Sequence, residues 1–161
     1  MAGGMIDMSV MKKILAAVDF SDATPGVVEA ASQMAAAFES ELALFHVVEP
    51  EPSYTAYGFT PDEFPAMHAF QEEAKRRAQR RLDEWVESVK SDVPGVSGVI
   101  AEGSPLHCMM EHVGKNDTDL VIVGSHGHGA LASLLLGSVA EGMVRKAKVP
   151  TLVVPAAPPN A

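Results

Sequence analysis

Leu120-Val121-Ile122-Val123-Gly124-Ser125-His126-Gly127, followed ten residues on by Gly137-Ser138, decides how the rest of the chain is read. Four apolar residues, three of them β-branched, make a buried-strand pattern that runs into a glycine turn. After Gly137-Ser138 the apolar positions Val139, Ala140, Met143, Val144 and Ala147 are spaced as on a helix. The order is strand, loop, helix, with the spacing Gly-x2-Gly-x9-Gly-Ser. Glycine lets backbone N–H groups approach a bulky anion without a Cβ in the way. A helix start adds unpaired N–H groups and the positive end of a dipole. Ser138 is expected at the N-cap, where its hydroxyl adds a further polar group. The constellation suits a phosphate chain, although any one of its glycines, taken alone, reads better as a plain turn.

Two other phosphate motifs compete. A Walker A loop needs Gly-Lys-Ser/Thr, and no Lys precedes Ser138. Gly127-His128-Gly129-Ala130-Leu131-Ala132 formally fits the dinucleotide fingerprint G-x-G-x-x-G/A. That fingerprint expects an acid about 20 residues on, whereas the next strand, Thr151-Leu152-Val153-Val154, ends at Pro155 without one. The match is read as accidental.

Outward from this stretch, strands and helices alternate. Lys12 to Val18 reads as a first strand, ending in Asp19-Phe20-Ser21, and Leu42 to Val48 as a second, apolar throughout. Between them Thr24-Pro25 marks a helix start with Thr24 as cap, and Val27, Ala31, Met34, Ala35 and Phe38 share a face. Residues 49–65 carry four prolines and no clear period, which reads as a long irregular loop of the kind that is often a functional lid or mobile. From Ala66 a stripe of Met67, Phe70, Ala74, Ala78, Leu82, Trp85 and Val89 predicts a helix, with Glu72–Arg76 and Glu73–Arg77 pairs on its other side. Gly98 to Glu102 is a third strand; Ser104-Pro105 caps and opens a helix that buries Leu106, Met109, Met110 and Val113. The fold class is therefore α/β, an open five-stranded parallel sheet with helices on both faces, for which the order 3-2-1-4-5 is expected. Residues 1–10 read as a loose extension, 11–155 as one domain and 156–161 as a Pro-rich tail.

Composition narrows the function classes. The 161 residues suffice for one core. No apolar run approaches the roughly 18 residues of a membrane span, and the N-terminus lacks a basic stretch with an apolar core, so a cytoplasmic location is expected. The single cysteine, Cys108, excludes an internal disulfide and fits a reducing compartment. A net charge of −9 argues against nucleic acid. The run Lys75 to Arg81 is flanked by acids and reads as a solvated helix face.

In sheets of this order ligands bind beyond the carboxyl ends of the strands where the order reverses, between strands one and four. Asp19 and the glycine loop converge there by topology, although Asp19 reads equally as a turn residue. His46 lies in a buried strand as a satisfied core residue, and Cys108 reads as a buried structural thiol. His107 and His112 sit off one helix face, and His126-x-His128 is a weak metal pattern, so no metal site is assigned. No nucleophile, base and orienting group stand on a motif, so no catalytic residue is assigned.

Gly124-Ser125-His126-Gly127, Gly137-Ser138-Val139-Ala140-Glu141 and Val149-Pro150-Thr151-Leu152-Val153-Val154 resemble the universal stress protein family, more narrowly its ATP-binding branch. The resemblance runs over nearly all of the chain after Met11. It implies a Rossmann-like fold, a homodimer through the Thr151–Val154 strand, and ATP (or AMP or ADP) as ligand, with Mg2+ or Mn2+ held by the phosphates. By that resemblance Gly127, Gly137, Ser138 and Val139 contact the phosphates, and Gly124, Ser125 and His126 lie along the ribose and first phosphate. Asp19 and the backbone of Val47 hold the nucleoside. Family loops commonly carry Lys or Arg between the second and third glycines; residues 128–136 offer only His128. The resemblance implies a regulatory or stress-response protein with slow or no hydrolysis. An ATPase or adenylyl transferase of the same broad fold is the alternative, and the missing Walker lysine favours the former.

Overall fold

The computed structural model describes residues 11–50, 65–126 and 136–156, with only the backbone at 65 and 66. The expected extension at 1–10, most of the loop at 49–65, the tail beyond 156, and Gly127 and His128 lie outside the described residues. The elements are β1 (Lys13–Ala17), α1 (Thr24–Phe38), β2 (Glu41–Val48), α2 (Pro65–Val89), β3 (Val96–Glu102), α3 (Pro105–Asn116), β4 (Leu120–Gly124), α4 (Ser138–Lys146) and β5 (Thr151–Val154). The five strands form one sheet in the order β3-β2-β1-β4-β5, with every neighbouring pair parallel.

β1 and β4 sit in the middle, covered on both faces, which is why their sequences are continuous apolar runs rather than alternating ones. On one face Ile14, Ala16, Leu42, Leu44 and Ile122 pack with Val27, Val28 and Ala31 of α1 and Leu82 and Val89 of α2. On the other Leu15, Phe45, Val121 and Val123 meet Cys108, Met109 and Val113 of α3 and Ala140 and Met143 of α4. One-residue alternation along each strand thus feeds two cores.

Three local expectations are corrected. In α2 only the second half of the apolar stripe is buried: Ala78, Leu82 and Val89 are inside, whereas Phe70 is 51% exposed. A 25-residue helix is about 37 Å long, and the seven residues of β3 span about 23 Å. The first turns of α2 therefore overrun the sheet. The ion pairs on this helix also differ from those expected. Arg76 and Arg80 both reach Glu73, at 3.1 and 3.5 Å, and Lys75 crosses to Glu102 of β3 at 3.0 Å. Lastly, Ala23 and Gly137, not Thr24 and Ser138, occupy the N-caps of α1 and α4. Thr24 and Ser138 are each the first helical residue, because the residue before them still has its carbonyl in the helix ladder: Ala23 and Gly137 accept from Val27 and Glu141 at 3.1 and 2.9 Å.

Candidate functional site

β1 pairs with β2 on one side and β4 on the other, so the sheet order reverses between β1 and β4. The carboxyl ends of these two strands, Asp19 and Gly124-Ser125-His126, lie side by side as expected.

At the end of β1 the chain turns sharply. Val18 still donates to the Phe45 carbonyl at 2.9 Å, and Asp19 Oδ1 then accepts from the Ser21 N–H at 3.0 Å, the Ser21 hydroxyl at 2.5 Å and the Thr24 hydroxyl at 3.4 Å. One oxygen of Asp19 thus organises the approach to α1. Phe20, between them, has φ of 60°. Left-handed backbone costs a residue with a Cβ about 1–2 kcal/mol, so contacts must hold it there. Its ring lies 4.2 Å from the imidazole of His46, and the Arg81 guanidinium stands 4.5 Å over it. Arg81 also donates to the Phe20 carbonyl at 3.4 Å, and His46 Nδ1 lies 2.7 Å from the Val18 carbonyl. His46 is the satisfied residue its strand position suggests. Val47 follows it in β2, half-buried and in register with Ala101 of β3.

At the end of β4, Ser125 ties three segments together. Its N–H donates to the Val154 carbonyl of β5 at 2.8 Å, and its carbonyl accepts from Gly137 at 2.7 Å. Its hydroxyl accepts from the Ala156 N–H at 3.0 Å and lies 2.8 Å from His126 Nδ1. His126 Nε2 is buried with no hydrogen-bond partner among the described residues. Gly124 sits in a close space: a Cβ there would stand 3.2 Å from the His126 carbonyl oxygen, 3.3 Å from Ala23 Cβ and 3.4 Å from Val27 Cγ2. Gly137 has φ of −61°, open to any residue, and its N–H is taken by Ser125. The helix start therefore presents Ser138 and Val139, with no side-chain cap among the described residues. Of the expected site residues, Asp19, Val47, Gly124, Ser125, His126, Gly137, Ser138 and Val139 are placed along the carboxyl ends of β1, β2 and β4 and at the start of α4.

Sequence reasoning missed Phe20 and Arg81. Phe20 gave a weak signal, a bulky residue between two turn formers at a strand end. Arg81 gave none, since its partner lies 61 positions away. Cys108 and His112 stand apart from the site. Burial, then the Glu111 carboxylate, pushes the Cys108 thiol up, and burial pushes the His112 imidazole down. A cavity of about 320 Å³, lined by Lys13, Glu41, His112 and Asn116 among others, opens at the amino ends of the strands, opposite the candidate site. Among the described residues no group of three His, Cys, Asp or Glu could hold a metal, and no helix is long and apolar enough to cross a membrane.

The family model of the universal stress proteins matches residues 11–155. The chain belongs to the universal stress protein family. Universal stress protein A homolog 1 of Coxiella burnetii is 34% identical over 145 residues, covering 89% of this chain and 95% of that protein. A universal stress protein of Thermus aquaticus is 30% identical over 146 residues, covering 90% and 99%. Among solved members, UspA of Lactobacillus plantarum superposes with a TM-score of 0.78 at 21% identity, over 89% of this chain and 97% of the other. Two further universal stress proteins of the same fold are described with ligands. One, in complex with cAMP, has a TM-score of 0.64 at 22% identity, covering 91% and 98%. That of Archaeoglobus fulgidus, in complex with dAMP, has a TM-score of 0.57 at 20% identity, covering 89% and 97%.

Proposed function

We propose that this universal stress protein binds an adenine nucleotide, ATP foremost, at the carboxyl ends of β1 and β4, and acts as a regulatory or stress-response protein. The observation that carries this reading is the convergence of Asp19, Gly124-Ser125-His126 and the start of α4 at the switch point of the sheet, joined by the Gly137–Ser125 bond. Two proteins of this fold described with cAMP and dAMP support the adenine class. In this reading Asp19 and the backbone of Val47 meet the nucleoside, and Gly124, Ser125 and His126 follow the ribose and first phosphate. Gly127, Ser138 and Val139 meet the remaining phosphates, and Gly137 contributes the absence of a side chain. Mg2+ or Mn2+ would be held by those phosphates. With no Walker lysine before Ser138, hydrolysis in this reading is slow or absent.

Calorimetric titration with ATP, ADP and AMP, run beside a phosphate-release assay, tests this. Micromolar binding with negligible turnover is expected, and Gly127→Val should abolish it. A folded Gly127→Val protein that binds ATP like the parent would overturn the site.

A further inference from the structure

We propose that Arg81 is a positioning residue for Asp19, reaching from α2 to clamp Phe20 and so fix the turn at the end of β1. In its consequence for a ligand this rests on the nucleotide reading above. Arg81 is the one member of the basic run 75–81 with a described contact to that turn. Arg76 and Arg80 are spent on Glu73, and Lys75 on Glu102. The Arg81 guanidinium holds Phe20 twice, over the ring at 4.5 Å and at the carbonyl at 3.4 Å. The ring in turn packs at 4.2 Å on His46, whose Nδ1 is joined to the Val18 carbonyl. Residues on both sides of Asp19 are thereby anchored to α2 and β2.

The conformation of Phe20 is the reason a clamp is needed. Asp19 Oδ1 accepts from Ser21 across Phe20, which stands left-handed at φ of 60°. Glycine would adopt that conformation freely and leave it as freely. Phenylalanine resists it, but its ring gives Arg81 and His46 something to hold. The turn then has one stable geometry, and the carboxylate one direction, before any ligand arrives. Preorganisation of this kind strengthens binding by removing the ordering cost from the binding step.

Amide exchange by NMR on the ligand-free protein, with ATP titrations of the same samples, tests the assignment. Arg81→Ala should speed exchange at Ser21 and Ala23 roughly tenfold through local opening, leave Val121 to Val123 of β4 unchanged, and weaken ATP binding roughly three- to tenfold. Arg81→Lys should recover part of both effects, since an ammonium lacks the planar fork, and Arg77→Ala should change neither. In a Phe20→Gly background Arg81→Ala should have no further effect, because the partners have lost their coupling. Exchange and affinity both at parental values in Arg81→Ala would overturn the proposal, as would faster exchange with unchanged ATP affinity. If the parent binds no nucleotide while Ser21 and Ala23 respond as expected, the nucleotide reading falls and the clamp on Asp19 stands.

Discussion

The N–H of Gly137 donates to the carbonyl of Ser125 across 2.7 Å. That bond closes the frame of the candidate site, because Ser125 follows β4 and Gly137 caps α4. The hydroxyl of Ser125 extends the frame to Ala156 beyond β5 and to His126. Ser125→Ala keeps the carbonyl bond and removes both hydroxyl contacts. It should lower stability by about 1 kcal/mol, a typical net hydrogen-bond contribution, and weaken ATP binding by loosening His126. Urea melts and calorimetry on one preparation measure both; no change in either would show the hydroxyl idle.

Two glycines should respond to Ala with opposite signs. Gly142 of α4 packs on α3 so closely that a Cβ would stand 2.4 Å from Leu106 Cδ2 and 3.2 Å from its Cγ, whereas Gly114 has nothing within 4 Å. Gly114→Ala should stabilise by about 0.5–1 kcal/mol through helix propensity alone. Gly142→Ala gains the same term but must displace Leu106, an overpacking cost of about 1–3 kcal/mol, and should come out destabilising. Chemical denaturation of the two variants reads the signs directly.

His112 predicts an acid-side loss of stability. Its ring lies 4.9 Å from that of Phe45, and burial holds its pKa below the ordinary value of 6.5. The unfolded chain therefore takes up a proton that the folded chain resists, so the unfolded state binds more protons in that window. This contribution is whole above about pH 6.5 and is lost as the pH falls below it, through the depressed folded value. His112→Leu should flatten the part of the stability profile between pH 7 and 5 that belongs to this group. An unaltered slope would exclude it.

His128, outside the described residues, is the one titratable side chain between the second and third loop glycines. With no Lys or Arg there, imidazolium is the charge available for a triphosphate. ATP should bind more tightly at pH 6 than at pH 8. Arg in its place should strengthen binding at pH 8 and flatten the dependence. The same pH profile in His128→Ala as in the parent would remove His128 from phosphate binding.

β5 is the edge of the sheet, four residues bounded by Pro150 and Pro155, with Leu152 36% exposed. An uncharged edge offers backbone donors and acceptors to another chain, and the same strand from a two-fold partner, antiparallel, would use them. The prolines restrict pairing to a short ladder. A homodimer is expected, and Val153→Lys should give folded monomer. Sedimentation of the parent as a monomer at micromolar concentration would refute this.

By itself the sequence determined the succession of elements and the strand ends on which the proposed site is built. Central strands of a parallel sheet must be apolar on both faces, so the runs at 14–16 and 120–123 declare themselves, and the carboxyl ends of β1 and β4 follow from the strand order. The glycine spacing was legible for the same reason, being local. Tertiary structure alone decided the rest. Whether Phe70 is covered depends on where the sheet stops, and whether Glu73 or Glu102 takes a cation depends on which face of α2 turns inward. Gly124 and Gly137, alike in sequence, proved different: the first is closed in by its own loop and the start of α1, while the second caps a helix in an ordinary backbone conformation. That Asp19 Oδ1 organises a turn became legible only with its neighbour's backbone. The left-handed Phe20 and the arginine that grips it from 61 residues away belong to a contact between distant parts of the chain, and no periodicity or short motif encodes such a contact.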